Sequence, residues 1–280
     1  MKDRRLTPAN KRVADPSLQS DWPGVSYVEP EPFAVHWPLV DLMNAPEGHR
    51  DRQLLFGETV GVYETHEGWA FIRSDKDGYV GYVPRSSLAS SPQATHRVSA
   101  AATHVYDAPN FKSRDRMRLS HGCLLHGLGT EGSFLQTADG YVPMVHCAPI
   151  QEFSKDPVSV AKTFLDTPYL WGGNSRFGID CSGLIQAALV ACGAACPGDS
   201  DLQEETLGYE LPADVSLQRN DLLFWKGHVA MIVDDARLIH ANAHHMAVTF
   251  ENTEQAINRI DQQGDGPVTC RKRVILSQAV

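Results

Sequence analysis

The sequence predicts two small all-β barrels followed by a larger α+β domain. From about residue 35 to residue 150, short strand-like runs alternate with turn residues, and helical periodicity is rare. This region repeats itself at an offset of roughly 62 to 64 residues, and an all-strand repeat of that length indicates tandem barrels rather than a solenoid. Beyond residue 150, helical patterns are followed by strand-like runs, which is typical of helices packed on an antiparallel sheet.

Three pairs of short segments carry the repeat. Residues 42–46 correspond to 105–109, residues 67–71 to 131–135, and residues 77–80 to 139–142. The last pair begins with Asp77-Gly78 and Asp139-Gly140, and Asp-Gly is a hairpin signal. The predicted organisation is an arm over residues 1–30, a first barrel over 31–92, a second barrel over 93–152 and a third domain over 153–280.

Composition excludes several classes of function. A chain of 280 residues has room for two or three domains with their own cores. Its formal charge of −9, without a Lys/Arg cluster, argues against a nucleic-acid partner. We expect no membrane span, because no apolar run is long enough. The N-terminal segment is basic but no apolar stretch follows it, so we expect no signal peptide.

The cysteines and paired histidines do not indicate a metal site. The six cysteines show neither a disulfide framework nor zinc spacing, and Cys192 and Cys196 are interpreted as structural. His244 and His245 lack companion ligands at helical spacing, so we expect no metal and no cofactor. Free thiols without an export signal predict a cytoplasmic protein. The oligomeric state is not indicated.

Cys181 stands where a Gly-rich stretch, residues 169–178, leads into a helical pattern over 182–192. Asp180 is a plausible N-cap, which places Cys181 in the first turn of the helix. Free backbone N–H groups and the helix dipole favour an anion there, so we expect a stabilised thiolate at Cys181. The competing interpretation is a buried structural cysteine. The segment from 194 to 208, which follows this helical pattern, is interpreted as a variable loop.

Two histidines follow in strand-like runs at residues 221–225, 228–233 and 238–241. His228 opens the second run and His240 lies in the third. A cysteine at a helix start, a base on a core strand and a polar group on the next strand form a cysteine–histidine–polar triad. Because side chains alternate along strands, His228 and His240 share a face only if the intervening turn has an odd number of residues or a bulge. We predict this irregularity at residues 234–237.

Taken together, PYLWGG, GIDCSGL, the pair DLLFW and HVAMIV, and LIHAN resemble the NlpC-type, papain-like cysteine peptidases. Within that family the chain is most similar to γ-D-glutamyl-L-diamino acid endopeptidases of the dipeptidyl-peptidase VI type, which carry bacterial SH3-like barrels before the catalytic domain. The resemblance covers the C-terminal half well and the N-terminal half loosely. It implies SH3-like barrels and a papain-like α+β domain.

The resemblance also implies an activity. Such enzymes cut the bond between γ-D-glutamate and meso-diaminopimelate or lysine in peptidoglycan stem peptides, here with a free N-terminal L-alanine, during muropeptide recycling. Cys181 would be the nucleophile, His228 the general base and His240 the orienting group. The alternatives are an exported hydrolase of intact peptidoglycan, a non-catalytic wall-peptide binding protein, and another acyl-transfer enzyme on the same scaffold.

The family pattern suggests substrate-binding residues in the third domain. Tyr169 matches a tyrosine that borders the active site, where its hydroxyl would join the Cys181 N–H in an oxyanion hole, or it is a core tyrosine. The other matching positions line the substrate cleft in the family: Trp171, Asp180, Ser182, Asp199 and Ser200. Helix capping competes with substrate binding at Asp180. Gly198 stands where the family often has arginine, which weakens the match at Asp199 and Ser200.

Two further candidates lie in the first barrel. In related enzymes an acid and a tyrosine from this barrel cap the cleft. The resemblance therefore implies that Glu58 would bind the free α-amine of the N-terminal L-alanine by a charge-assisted hydrogen bond, and that Tyr79 or Tyr82 would help to cap the cleft. The competing interpretation is that both are ordinary barrel residues.

Overall fold

The computed structural model describes residues 2–19, 21–90 and 92–276. It consists of two compact units, Met1–Ile150 and Gln151–Val280. The division follows Ile150, at the start of the linker expected before the third domain. The residue bounds of the arm and the two barrels stay a prediction, and Ser91 of the expected inter-barrel linker lies outside the described residues. Within the described ranges, no helix combines the length and apolar character needed to cross a membrane.

The N-terminal arm packs along the first barrel. Two 3₁₀ turns, Arg4–Leu6 and Pro16–Leu18, flank β1 (Val13–Ala14), which pairs in parallel with β2 (Ser26–Tyr27). Val13 is buried against Tyr63, whose hydroxyl donates a 2.7 Å hydrogen bond to Asp15. The arm is therefore fixed by both apolar burial and a buried polar contact.

The first barrel is one seven-stranded antiparallel sheet in the order β5-β4-β8-β7-β6-β3-β9. Its strands are β3 (Glu31–Val35), β4 (Leu39–Met43), β5 (Arg50–Leu55), β6 (Thr59–His66), β7 (Trp69–Ser74), β8 (Val80–Pro84) and β9 (Leu88–Ala89). The Asp77-Gly78 signal lies in the β7–β8 hairpin, where Gly78 adopts a φ of 75°. Alternating apolar residues such as Val40 and Leu42 fill the core.

The second barrel has a five-stranded sheet, β12-β11-β16-β15-β14, and a three-stranded sheet, β13-β10-β17. Its strands are β10 (His96–Val98), β11 (Ala102–Tyr106), β12 (Asp115–Ser120), β13 (Leu124–Leu125), β14 (Gly129–Glu131), β15 (Phe134–Thr137), β16 (Gly140–Pro143) and β17 (Cys147–Pro149). Leu55 and Phe56 of the first barrel belong to its core. The two barrels therefore pack as one unit.

The two barrels repeat the same irregularities, which confirms two tandem barrels. The β4–β5 register shifts between Leu42 and Met43, and the β11–β12 register shifts at the corresponding step between Val105 and Tyr106. A 3₁₀ turn precedes the last strand of each barrel, Arg85–Ser87 in the first and Met144–His146 in the second.

The C-terminal unit is an α+β domain, as predicted. Its helices are α1 (Pro157–Lys162), α2 (Cys181–Ala191), α3 (Ser200–Thr206) and α4 (Thr253–Ile260), the last continued by a π-helical turn, Asp261–Asp265. Its strands are β18 (Asn174–Ser175), β19 (Gly178–Ile179), β20 (Tyr209–Glu210), β21 (Leu222–Trp225), β22 (His228–Ile232), β23 (Arg237–Asn242), β24 (Ala247–Asn252) and β25 (Cys270–Arg273). The main sheet is antiparallel with the order β20-β25-β21-β22-β23-β24.

The two faces of this sheet carry separate apolar cores. Odd-numbered residues of β22, such as Val229 and Met231, pack with α2. Even-numbered residues, such as Ala230 and Ile232, pack with Trp225 and α4. The strands that carry the candidate histidines are therefore covered on both faces, which fixes their register.

One expectation for this unit is wrong. The segment between residues 194 and 208, interpreted as a loop, contains α3. Asp199 is its N-cap and Asp201 lies in its first turn. An acidic N-cap followed by Gln and Glu is a helix-start signal that the proline-containing context obscured.

Candidate active site

Asp180 organises the loop and the helix start around Cys181. It is the N-cap of α2, as predicted, and its Oδ1 accepts hydrogen bonds from the Gly183 N–H (2.6 Å) and the Ser182 hydroxyl (3.0 Å). Its Oδ2 accepts a hydrogen bond from the Gly172 N–H at 2.9 Å. One carboxylate thus ties the Gly-rich loop to the first turn of α2.

Gly183 allows that loop to lie directly on the helix. A Cβ atom at this position would stand 2.5 Å from the Gly173 carbonyl oxygen and 2.7 Å from Oδ1 of Asn174. Any side chain would push the loop away from Cys181, so the glycine of the DCSGL motif is required by the close approach of the backbone.

The Cys181 thiol is buried, with 5% of its surface exposed. Burial, followed by the negative charge of Asp180, raises its pKa to about 12, although the backbone N–H groups of Val229 and Ser182 favour the thiolate. The expectation of a stabilised thiolate is therefore wrong for the resting site, because desolvation outweighs the helix N-terminus. The thiol needs a base.

The two candidate histidines are in direct contact. Nε2 of His228 lies 2.9 Å from Nδ1 of His240, and the rings meet edge to face. Ile232 pairs with Leu238, which leaves five residues, 233–237, between the paired positions. The predicted odd-numbered turn is confirmed, and it places both histidines on one face of the hairpin.

The histidine pair continues into an ion pair that the sequence did not reveal. His240 is fully buried, and its Nε2 lies 3.1 Å from Oε2 of Glu251. Arg259 on α4 donates two hydrogen bonds to Glu251, at 2.9 Å to Oε1 and 2.7 Å to Oε2. Glu251 is opposite Leu238 in the β23–β24 ladder, a diagonal neighbour of His240, so only the strand register could have identified it.

Burial sets the charge state of the histidines. It lowers the pKa of His228, with His240 as the next cause, and it lowers the pKa of His240 against the opposing effect of Glu251. Both imidazoles are therefore neutral near pH 7. A neutral imidazole and a protonated thiol are the charge states from which general-base catalysis starts.

Strand β22 packs against the core that contains Cys181. Val229, which directly follows His228, belongs to that core. Among the residues that the structure describes, the sulfur is not hydrogen-bonded to either imidazole. Catalytic hydrogen bonds are often long before substrate binds, so His228 stays a candidate for the base.

Tyr169 lies beside Cys181, as the candidate role requires. It is partly buried against the core that contains Cys181, and its backbone N–H donates to the Met246 carbonyl at 2.9 Å. Burial is the largest cause that raises the pKa of its hydroxyl, and the negative charge of Asp180 adds to it, so the phenol stays protonated and can donate. Trp171, in the same loop, is 67% exposed.

The remaining candidates of this unit lie around the first turn of α2. The Ser182 hydroxyl is engaged by Asp180, and the Ser182 carbonyl accepts a 2.9 Å hydrogen bond from the buried side chain of Gln203 on α3. Asp199 and Ser200 form the N-terminus of α3. Gln203 therefore links that helix to the helix of Cys181. The substrate contacts of these residues stay predictions.

Glu58 and Tyr79 are buried in the N-terminal unit. Glu58 forms a 2.6 Å salt bridge with Lys76, while its Oε2 has no hydrogen-bond partner within the described residues. Tyr79 is 2% exposed in the barrel core, with the Arg52 guanidinium 5.8 Å from its ring. This placement favours a core role for Tyr79. The oxygen of Glu58 without a partner, Oε2, is itself buried.

Comparisons with known proteins give the class of this chain. Residues 166–263 match the NlpC/P60 family, and residues 42–88 match the bacterial dipeptidyl-peptidase Sh3 domain. The chain thus combines a dipeptidyl-peptidase SH3 domain with an NlpC/P60 domain. It is a cysteine peptidase.

Relatives of similar length support this assignment. The chain is 27% identical over 263 residues to dipeptidyl-peptidase 6 of Lysinibacillus sphaericus, covering 85% of this chain and 89% of the relative. It is also 27% identical over 215 residues to the gamma-D-glutamyl-L-lysine dipeptidyl-peptidase of Bacillus subtilis. That match covers 68% of this chain and 71% of the relative. The crystal structure of an NlpC/P60 family protein from Bacillus cereus superposes on this chain with a TM-score of 0.73 and 20% sequence identity. The superposition covers 88% of this chain and 100% of that one, which shows that the two share a fold.

Proposed function

We propose that this peptidase hydrolyses the bond between γ-D-glutamate and the diamino acid of peptidoglycan stem peptides. The observation that carries the proposal is the 2.9 Å His228–His240 contact between two strands that share a core with Cys181 at the start of α2. The names of the relatives, dipeptidyl-peptidase 6 and gamma-D-glutamyl-L-lysine dipeptidyl-peptidase, support the choice of bond.

The reaction follows from the charge states of the site. His228 takes the proton from the Cys181 thiol, and the thiolate attacks the γ-carbonyl carbon of D-glutamate. The Cys181 N–H and the Tyr169 hydroxyl donate to the developing oxyanion. When the tetrahedral intermediate collapses, the C–N bond breaks and the imidazolium of His228 gives its proton to the leaving amine. Water activated by His228 then hydrolyses the thioester.

A free N-terminal L-alanine is the second part of the proposal. An ammonium group needs a carboxylate partner when it is desolvated, and Glu58 has one oxygen without a hydrogen-bond partner among the described residues. Its other oxygen is already paired with Lys76, so the amine would share the carboxylate. We propose Glu58 as the amine-binding residue on this ground.

A role in recycling small wall peptides inside the cytoplasm completes the proposal. Cys123, Cys147, Cys181 and Cys270 are free thiols. Free thiols persist in a reducing compartment and tend to oxidise outside it. A requirement for an unblocked L-alanine would restrict the enzyme to stem peptides already released from the glycan.

The test is digestion of L-Ala-γ-D-Glu-meso-diaminopimelate, of its N-acetylated copy and of the L-lysine analogue, read by mass spectrometry. Release of L-Ala-D-Glu from the free peptide alone would support the recycling enzyme. Equal cleavage of the acetylated copy would remove the amine requirement and favour a hydrolase of intact peptidoglycan. Absence of cleavage would redirect the assignment to another acyl-transfer substrate. Cys181→Ala is the control for contaminating peptidases.

A further inference from the structure

A chain of hydrogen bonds runs from the catalytic histidine into the interior of the domain. His228 contacts His240 at 2.9 Å, and His240 contacts Glu251 at 3.1 Å. Two hydrogen bonds from Arg259 then hold Glu251. His240 is fully buried, and the side chain of Glu251 is 12% exposed. The contacts that these two side chains make are therefore not exposed surface contacts.

The charge of Glu251, the last acceptor in this chain of hydrogen bonds, determines which group donates and which accepts in each bond. Arg259 and His240 both stabilise the anionic form of Glu251 and hold its pKa low despite burial. An ionised carboxylate only accepts hydrogen bonds, so Nε2 of His240 must carry a proton and donate it. A neutral His240 then has its lone pair on Nδ1, and it can only accept from Nε2–H of His228.

We infer that Glu251, oriented by Arg259, is a positioning residue that selects the tautomer of His228 through His240. This inference rests on the proposed roles of Cys181 and His228. With its proton fixed on Nε2, His228 presents the lone pair of Nδ1, and this is the nitrogen that accepts the thiol proton. If donor and acceptor were exchanged in each of these hydrogen bonds, Nδ1 of His228 would carry a proton and could not accept one from the thiol.

Arg259 supplies the geometry of the chain. Its planar guanidinium fixes the carboxylate plane through two parallel bonds, which a lysine cannot reproduce. The other charged groups that face this chain are His245, beside His240, and Asp265, beside Arg259. Asp180 lies on the far side, at Cys181.

Glu251→Gln is the direct test, because an amide keeps the shape but can donate its N–H toward His240. In serine proteases, replacing the triad carboxylate by an amide lowers kcat about 10⁴-fold through the wrong tautomer. Glu251 acts one residue further away, so we expect a smaller loss, at least ~10-fold in kcat with little change in KM. Arg259→Lys should lower kcat by a smaller factor. The lysine keeps the positive charge beside Glu251, but it loses the pair of parallel hydrogen bonds. Glu254→Gln, an exposed acid on α4, is the matched control.

Long-range ¹H–¹⁵N NMR correlations identify the protonated nitrogen of each ring, with His228→Gln used for assignment. We expect Nε2–H on both histidines in the wild type and Nδ1–H on His240 in Glu251→Gln. Unchanged tautomers, or a loss of kcat no greater than in Glu254→Gln, would overturn the inference. If Glu251→Gln does not fold, the wild-type spectra decide, because a proton on Nδ1 of His228 would overturn the inference. The wild-type spectra do not depend on the substrate, so failure to cleave stem peptides would count against the proposed function alone.

Discussion

Nε2 of His228 lies 2.9 Å from Nδ1 of His240, and an odd-numbered turn of five residues brings these two side chains to one face of a hairpin. A turn of even length would separate them, because consecutive strand residues point to opposite sides. The contact of this proposed catalytic pair therefore depends on the length of the turn as well as on the identity of the residues.

The hydrogen-bond acceptor on His240 is expected to be essential for catalysis. His240→Asn keeps an acceptor close to the position of Nδ1, whereas His240→Leu has a similar shape and no acceptor. We expect the leucine variant to lose ~10²–10⁴-fold in kcat, the usual contribution of a general base, and the asparagine variant to retain more activity. Steady-state kinetics on the stem tripeptide is the measurement. Equal losses in the two variants would show that the acceptor is not what matters.

The turn itself can be tested by changing its length. Deletion of Ala236 leaves an even-numbered connection between Ile232 and Leu238, which would turn His240 away from His228 or force a bulge. We expect a loss of activity comparable to that of His240→Leu while the rest of the domain stays folded. The control is Ala236→Gly, which keeps the length. Full activity in the deletion variant would contradict the geometric account.

Cys181 should behave as a weakly acidic thiol in the absence of substrate. Burial and Asp180 raise its pKa to about 12, so the thiolate fraction, and with it the rate of iodoacetamide alkylation, should still rise with pH above the ordinary thiol pKa of ~8.5. Asp180→Asn keeps a residue that caps helices and removes the negative charge, so alkylation should become faster at a given pH. A rate that reaches its plateau near neutral pH would instead show a preformed thiolate.

The Tyr169 hydroxyl should contribute to the transition state more than to substrate binding. Removing one donor of an oxyanion hole typically lowers kcat by ~10²–10³-fold. We therefore expect Tyr169→Phe to reduce kcat by about that factor with KM nearly unchanged, and we expect Tyr106→Phe in the second barrel to have no effect. A Tyr169→Phe enzyme with normal kcat would assign this tyrosine to the core.

Gly183 is expected to be intolerant of even a methyl group. In most helices Gly→Ala is stabilising by up to ~1 kcal/mol, but here the new Cβ would stand 2.5 Å from the Gly173 carbonyl oxygen. Gly183→Ala should therefore destabilise the C-terminal unit by roughly 1–3 kcal/mol, the usual cost of overpacking, and reduce activity. Amide hydrogen exchange across α2 measures the change. Gly129→Ala, where nothing lies within 4 Å of the added Cβ, is the control, and equal exchange in both variants would disprove the steric argument.

Local signals made much of this site predictable. Asp180 before a helical pattern, and short apolar runs around His228 and His240, each indicate one element from adjacent residues. The repeat between residues 42 and 142 was sufficient to predict two barrels. These features depend on chain neighbours, which a sequence displays directly.

The parts that the sequence did not reveal depend on tertiary contacts. The contact of Glu251 with His240 exists only because of the β23–β24 register, and that of Arg259 with Glu251 because α4 packs beside this strand. The thiolate expectation failed for a related reason. Burial of Cys181 is a property of the folded core, and its effect on the pKa is larger than that of the helix N-terminus.

The most direct test of the central claim is to trap the acyl-enzyme. Wild-type protein is mixed with L-Ala-γ-D-Glu-meso-diaminopimelate, quenched in acid within one turnover and digested for peptide mass spectrometry. The account predicts that the peptide containing Cys181 gains the mass of an L-Ala-D-Glu acyl group, and that His228→Ala prevents this gain. Cleavage of the tripeptide without any adduct on Cys181, or with an adduct on another cysteine, would contradict it.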